Sequence, residues 1–105
     1  MMTCDYTLYH ERDKILDILK IFKNNNSDKY GIESLALFGS FARNEQKDDS
    51  DVDILVSLKR PSLYLYAALK NDLESILHRE VDIISAKSRL REEFKQSISK
   101  DLIYV

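Results

Sequence analysis

The sequence predicts an α/β fold of the α+β kind, in which helices pack on one face of a small mixed sheet of three or four strands. Two short apolar runs, Ile32 to Phe38 and Val52 to Val56, have the length and composition of strands. Segments with apolar residues at helical spacing precede and follow them. Hydrophobic residues make up 44% and charged residues 32% of the 105 residues, which is typical of a folded domain. We expect one domain spanning residues 1–105.

The first half of the chain begins with a predicted amphipathic helix over residues 10–23. We expect the polar run 24–28 to end it, and Gly31 precedes the first strand. After that strand we expect a Gly-Ser turn, a short helical segment and a polar loop over residues 44–50. The apolar residues that define the helix are Ile15, Ile18, Leu19 and Phe22.

The second half of the chain again alternates predicted helices and strands. Pro61 stands at a first-turn position of a helix that runs to about His78, and residues 80–84 predict a third strand. Residues 89–99 predict a last helix, with Ser85 and Ser88 as candidate caps, and residues 102–105 a short strand or strap. The apolar stripe of the middle helix contains Tyr66, Leu69, Leu73, Ile76 and Leu77, and that of the last helix Leu90, Phe94 and Ile98.

Composition and charge exclude several classes of protein. The net charge of −2 and the single cysteine argue against non-specific nucleic-acid binding, an internal disulfide and a thiolate zinc site. The first residues lack a basic segment followed by an apolar one, and no stretch has the length of a membrane span. We therefore expect a cytoplasmic protein.

Three acidic residues lie on predicted strands. Asp51 and Asp53 open the second strand two positions apart, so their side chains share one face. Asp82 alternates with Val81 and Ile83 on the third strand and can join them. Like charges at this distance repel unless a cation lies between them, so the pattern predicts a divalent-metal site.

Simpler interpretations exist for each acid. Residues 48–51 also have the composition of a solvated loop, and Asp82 alone would suit an ion pair with Arg79 or Lys87. A calcium loop is excluded because Ile54 and Arg60 stand where its glycine and glutamate are required. With two glycines in the chain, the dinucleotide fingerprint and the P-loop are also excluded.

Gly39 and Ser40 provide a candidate phosphate site. A glycine allows the backbone to approach a phosphate closely, and Ser40 adds a hydroxyl donor. Arg43 could neutralise further phosphate charge, or could instead pair with Glu45 or Asp49.

The spacing of Gly39-Ser40, ten residues, then Asp51-Val52-Asp53 closely resembles the signature of the polymerase-β-like nucleotidyltransferase superfamily. Residues 38–56 resemble its minimal nucleotidyltransferase (MNT) branch, and the resemblance extends through Asp82 to the end of the chain. The family pattern is usually Gly-Ser-x-Ala-Arg-Gly, whereas this chain has Asn44 at the last position. Asparagine tolerates the left-handed conformation, so we expect the turn to form.

The resemblance implies that AMP is transferred from ATP to a hydroxyl. Asp51 and Asp53 would hold two Mg²⁺ ions, Asp82 would complete the acceptor-side metal site and help to take the acceptor proton, and Gly39 and Ser40 would hold the triphosphate. Family members of this length resemble the antitoxin partner of a HEPN-domain toxin, and some adenylylate a tyrosine of that toxin.

Two alternatives remain open at this point. The chain could neutralise its partner by contact alone, with a weak or vestigial site, or act as an adaptor in a nucleic-acid-modifying complex, although no basic patch supports the latter. A hetero-oligomer is expected in the favoured case, since the chain has no room for its own acceptor pocket. Exposed tyrosines among Tyr64, Tyr66 and Tyr104 are candidate interface anchors.

Overall fold

The computed structural model describes residues 11–86 and 92–105. Within these ranges, no helix is both long enough and apolar enough to span a membrane. The predicted α/β class is confirmed, and so is the order of elements apart from the short helical segment expected after the first strand. The elements are α1 (Glu11–Tyr30), β1 (Ile32–Phe38), β2 (Val52–Leu58), α2 (Leu63–Leu77), β3 (Val81–Ser85), α3 (Glu92–Ser99) and β4 (Ile103–Tyr104).

The four strands form one mixed sheet in the order β3-β2-β1-β4. β1 is antiparallel to both β2 and β4, whereas β2 and β3 are parallel and are connected through α2. A parallel pair requires such a crossover, because the chain must return to the same end of the sheet. The predicted mixed sheet and the final short strand are both confirmed.

Apolar side chains cover both faces of the sheet. On one face α1 and α2 pack through Leu19, Leu69 and Leu73, all fully buried, against residues of β1 and β2 such as Leu37 and Ile54. On the other face α3 contributes Ile98 to a smaller cluster with Ala36, Phe38 and Leu55. The expectation that helices pack on one face only is therefore wrong for α3. Alternation along β1 and β2 places apolar residues on both faces, and the second set also requires cover.

Helix α1 is longer than predicted, because the polar run at residues 24–28 does not end it. Asn26 Nδ2 donates to Phe22 O at 3.0 Å, and the Ser27 hydroxyl donates to the carbonyl of Lys23, so both side chains bond within the helix. The buried ring of Tyr30 then stacks on Phe22 with 6.1 Å between centroids. Tertiary burial of Tyr30 thus extends the helix until Gly31, whose φ of +66° ends it.

Helix α2 begins at Leu63, two positions later than Pro61 suggested. Ser62 is the N-cap, and its hydroxyl accepts a 3.1 Å bond from the Leu65 amide, so Pro61 lies before the helix. The predicted end is confirmed, since His78 is a left-handed C-cap. Ile76 is 41% exposed, which corrects its assignment to the core stripe. The predicted start of the last helix at Arg89, the Ser88 cap and the side chains of Leu90 and Phe94 lie outside the described residues.

Candidate active site

The chain leaves β1 through a compact turn rather than the short helix that we predicted. The Arg43 amide donates to Gly39 O at 3.1 Å and the Glu45 amide donates to Ser40 O at 2.8 Å. Asn44 has a φ of 59°, so the left-handed conformation expected at this position is confirmed. Phe41 and Ala42 are buried and hold the turn against the core. The candidate phosphate donors therefore belong to a turn, and no helix dipole adds to their attraction for a phosphate.

Gly39 lies against the carboxylate of Asp53. Its φ is +78°, and a Cβ at this position would overlap Asp53 Oδ2 and stand 3.1 Å from Asp53 Cγ. The glycine is therefore required twice, once for the backbone conformation and once for the space beside the acid. A ligand bound to Asp53 can approach the backbone of the turn for the same reason.

The sheet register brings the predicted acids to one region. Asp53 is opposite Phe38 on β1 and opposite Asp82 on β3, while Asp51 directly precedes β2. Asp53 is partly buried, and its pKa is raised, first by desolvation and then by the charges of Asp82 and Asp51. The electrostatic crowding that the sequence predicted is present.

The three carboxylates do not form a closed ligand set. Among residues 11–86 and 92–105, no group of three His, Cys, Asp or Glu side chains is placed so that it could hold a metal ion. The donor chemistry nevertheless fits magnesium, which prefers carboxylate oxygens and keeps several waters. Because Gly39 has no side chain, the Asp53 carboxylate lies directly against the turn that carries Ser40.

Arg43 forms ion pairs with two carboxylates outside the predicted set of acids. Its Nε is 2.8 Å from Glu45 Oε1 and its Nη1 is 2.7 Å from Asp101 Oδ2. The alternative interpretation, a pair with Glu45, is thus confirmed, and Asp101 is a partner that the sequence did not indicate. The Arg43 charge also lowers the pKa of Asp53, against the larger effects that raise it. A role for Arg43 in binding phosphate stays a prediction.

Arg79 is the residue that sequence reasoning missed. Its Nη2 binds Glu11 Oε2 at 3.1 Å, so the simpler interpretation of Asp82 as a partner of Arg79 is not the one that the structure shows. The other partner in that interpretation, Lys87, lies outside the described residues. Arg79 Nη1 donates to the carbonyls of Asp48 at 3.0 Å and Ser50 at 3.2 Å. Only the fold brings these distant positions together, so no local pattern could have revealed them.

Arg79 and Asp51 also line one surface cavity. Its volume is about 680 Å³, and Asp48, Ser50 and Glu80 are among its other walls. Asp51 is the one predicted site residue that it includes. The cavity therefore lies beside the acids and not over the Gly39-Ser40 turn.

Two of the three candidate tyrosine anchors are exposed. Tyr64 has 80% and Tyr104 60% of its surface accessible. Tyr66 instead packs partly against the core, and its hydroxyl lies 2.7 Å from the Ser85 hydroxyl. Of the three candidates, Tyr64, which follows the cap of α2 by two positions, and Tyr104 on β4 are available to a partner.

A four-stranded mixed sheet, a Gly-Ser turn and acids from two adjacent parallel strands define a domain of the nucleotidyl-transfer class. The nucleotidyltransferase domain family matches residues 17–105. The Thermococcus cleftensis protein adenylyltransferase MntA is 35% identical over 94 residues, which cover 89% of this chain and 94% of the relative. MJ1379 from Methanocaldococcus jannaschii is 45% identical over 95 residues, which cover 88% of this chain and 95% of that protein.

Solved structures agree with this assignment. A minimal nucleotidyltransferase superimposes with a TM-score of 0.65 at 30% identity, covering 93% of this chain and 92% of that one. The MNT antitoxin complex with a tri-AMPylated Shewanella oneidensis HEPN toxin shares the fold, with a TM-score of 0.61 at 20% identity over 90% of this chain and 70% of that one. The chain belongs to the nucleotidyltransferase family, in its minimal branch, and is an enzyme of that class.

Proposed function

We propose that this chain is a protein adenylyltransferase that transfers AMP from ATP to a tyrosine hydroxyl of a HEPN-domain partner, with Mg²⁺, and so acts as the antitoxin of a toxin–antitoxin pair. The observation that carries the proposal is the register that sets Asp53 opposite Asp82, with Asp51 two positions before Asp53 and Gly39 against the Asp53 carboxylate. The similarity to a relative named protein adenylyltransferase MntA supports a protein acceptor.

In this mechanism the acceptor oxygen attacks the α-phosphorus of ATP, the bond from that phosphorus to the bridging oxygen breaks, and pyrophosphate leaves. Asp51 and Asp53 would hold Mg²⁺, and Asp82 would complete the acceptor side. Bound Mg²⁺ supplies charge neutralisation for the triphosphate and makes the acceptor oxygen more acidic. Asp82 takes the acceptor proton as the new oxygen–phosphorus bond forms.

The turn residues orient the other end of the nucleotide. Gly39 lets the phosphates approach the backbone, and Ser40 is the hydroxyl donor beside it. Arg43 is already paired with the carboxylates of Glu45 and Asp101, so a triphosphate that binds Arg43 must compete with them. Gly39 and Ser40 therefore provide the main contacts to the triphosphate.

The acceptor comes from a second protein in this proposal. The similarity of fold to an MNT antitoxin bound to a HEPN toxin supports a helical HEPN partner. Exposed Tyr64 and Tyr104 have the amphipathic character of interface anchors. Co-expression with the product of a neighbouring HEPN gene is expected to give a stable complex, whereas purification as separate monomers would contradict this part of the proposal.

Asp82→Asn tests the chemistry and separates transfer from binding. It keeps the size of the side chain and removes the charge, so the variant is expected to fold and to bind Mg²⁺-ATP and the partner. Loss of the general base alone is expected to lower transfer of labelled AMP by about a hundred- to ten-thousand-fold. Asp17→Asn is the matched control, because Asp17 is an exposed acid on α1 and lies outside the predicted set.

The outcomes distinguish an enzyme from a protein that acts by contact. If Asp82→Asn abolishes transfer and also abolishes neutralisation of the partner, the adenylyltransferase proposal is supported. If neutralisation stays at the wild-type level while transfer is lost, the protein acts by contact. If transfer persists in Asp82→Asn, the role given to Asp82 is wrong. Equal affinity for ATP with and without Mg²⁺, measured by calorimetry, would contradict the proposed metal site.

A further inference from the structure

One side chain outside the predicted site connects its separate parts. Arg79 follows the C-cap of α2 and precedes β3, and its side chain is 21% exposed. The guanidinium bonds to Glu11 on α1 and to two carbonyls of the 48–50 loop. Its Cζ also lies 4.9 Å from the centroid of the Phe41 ring. One rigid group thus contacts α1, the turn after β1 and the loop before β2.

The contacts to the loop hold the backbone that leads into Asp51. Residues 47–50 form a turn closed by a 2.8 Å bond from the Lys47 amide to the Ser50 hydroxyl. Arg79 Nη1 binds the carbonyls of Asp48 and Ser50, one residue before Asp51. The Val52 amide then donates to Glu80 O at 2.9 Å. Asp51 is therefore fixed from both sides by the backbone or side chain of residues 79 and 80.

The contact with Phe41 holds the other half of the site. Phe41 is fully buried and directly follows Ser40. A planar guanidinium can lie over an aromatic ring and still donate in its own plane, which a lysine ammonium cannot do. Arg79 therefore fixes the distance between the Ser40 turn and the Asp51 loop through one group.

We propose that Arg79 is a positioning residue for nucleotidyl transfer, which sets Asp51 relative to the Gly39-Ser40 turn without itself contacting the nucleotide. The inference depends on the proposed function for its effect on activity, but the effect on the loop is independent of it. Groups that orient metal ligands typically change metal affinity or activity by about 10- to 100-fold when they are removed.

The test compares Arg79→Gln and Arg79→Lys with two controls. Glu11→Gln removes the ion pair with α1 and leaves the bonds to the loop carbonyls, and Arg60→Gln removes an exposed arginine elsewhere. Binding of Mn²⁺ in the presence of a non-hydrolysable ATP analogue is measured by electron paramagnetic resonance. Amide chemical shifts of Ser50 and Asp51 are measured without ligand, and circular dichroism monitors the fold.

We expect both Arg79 variants to weaken Mn²⁺ binding by roughly 10- to 100-fold and to shift the Ser50 and Asp51 amides, with both controls near wild type. Full rescue by Arg79→Lys would mean that charge alone is required, and would overturn the proposal. Unfolding of both variants would also overturn it, by assigning Arg79 to stability. If wild-type protein binds no Mn²⁺-nucleotide, the proposed function fails, while the amide shifts still decide whether Arg79 positions the loop.

Discussion

Gly39→Ala and Gly31→Ala form a matched pair, because the two glycines flank β1 and both have positive φ, +78° and +66°. They differ in what a methyl group would meet. At Gly39 a Cβ would overlap the Asp53 carboxylate, whereas at Gly31 the nearest neighbour is Lys59 Cβ at an ordinary 3.6 Å. The pair therefore separates backbone strain from displacement of the acid.

The two substitutions are expected to destabilise the fold to a similar extent. A non-glycine residue in the left-handed region costs about 1 to 2 kcal/mol. For a domain of this size that corresponds to a decrease in Tm of roughly 5 to 15 °C. The Asp53 carboxylate is the free end of a side chain and can rotate away from a methyl group at Gly39. The overlap there consequently adds little to the loss of stability.

Activity is where the pair should diverge. A displacement of about 1 Å at a reacting group can lower the rate by roughly a hundredfold, so Gly39→Ala is expected to lose AMP transfer to that extent. Gly31→Ala should keep the wild-type rate below its Tm. Labelled-AMP transfer and thermal unfolding, measured on the same preparations, provide the comparison. Equal activity in the two variants would refute the argument that Gly39 keeps space for the Asp53 carboxylate.

Two further predictions concern stability. Burial and the bond to Asp72 raise the pKa of the Tyr30 hydroxyl to about 12, so the unfolded chain loses this proton first as the pH rises from 10. Stability should therefore fall as the pH rises from 10 to 12, and urea unfolding should show a shallower fall in Tyr30→Phe. Parallel curves for the two proteins would contradict the shift. Asn44→Val should destabilise the turn by about 1 to 2 kcal/mol because of its left-handed backbone, and Asn44→Gly should destabilise it less. Similar Tm values for both variants would show that the backbone conformation does not decide which residue the turn accepts.

The strands and the acids could be predicted because they follow local rules. Alternation along a strand decides which side of the sheet a residue faces, so Asp53 and Asp82 could be placed together before their strands were seen to pair. The left-handed conformation of Asn44 could be predicted for a similar reason, since tolerance of that conformation is a property of asparagine itself. These features needed no knowledge of distant contacts.

The remaining features depend on tertiary contacts. The C-terminal part of α1 is helical despite its polar composition, because Tyr30 is buried in the core and stacks on Phe22. The position of α3 on the second face follows from Ile98, whose partners lie on β1 and β2. Arg79 binds carbonyls about thirty positions earlier in the chain. No periodicity or motif in the sequence encodes such pairings.

The parallel pairing of β2 with β3 determines when the site can exist during folding. Asp53 meets Phe38 through a local antiparallel pair, but it meets Asp82 only after α2 has formed and returned the chain to the same end of the sheet. Long-range parallel pairing is slow because loop closure must precede it. A nascent chain that ends before β3 carries the glycine turn and two of its acids, yet it lacks the strand that supplies the third. We therefore expect the proposed set of three carboxylates to be completed late in folding, and chains that end before β3 to be inactive.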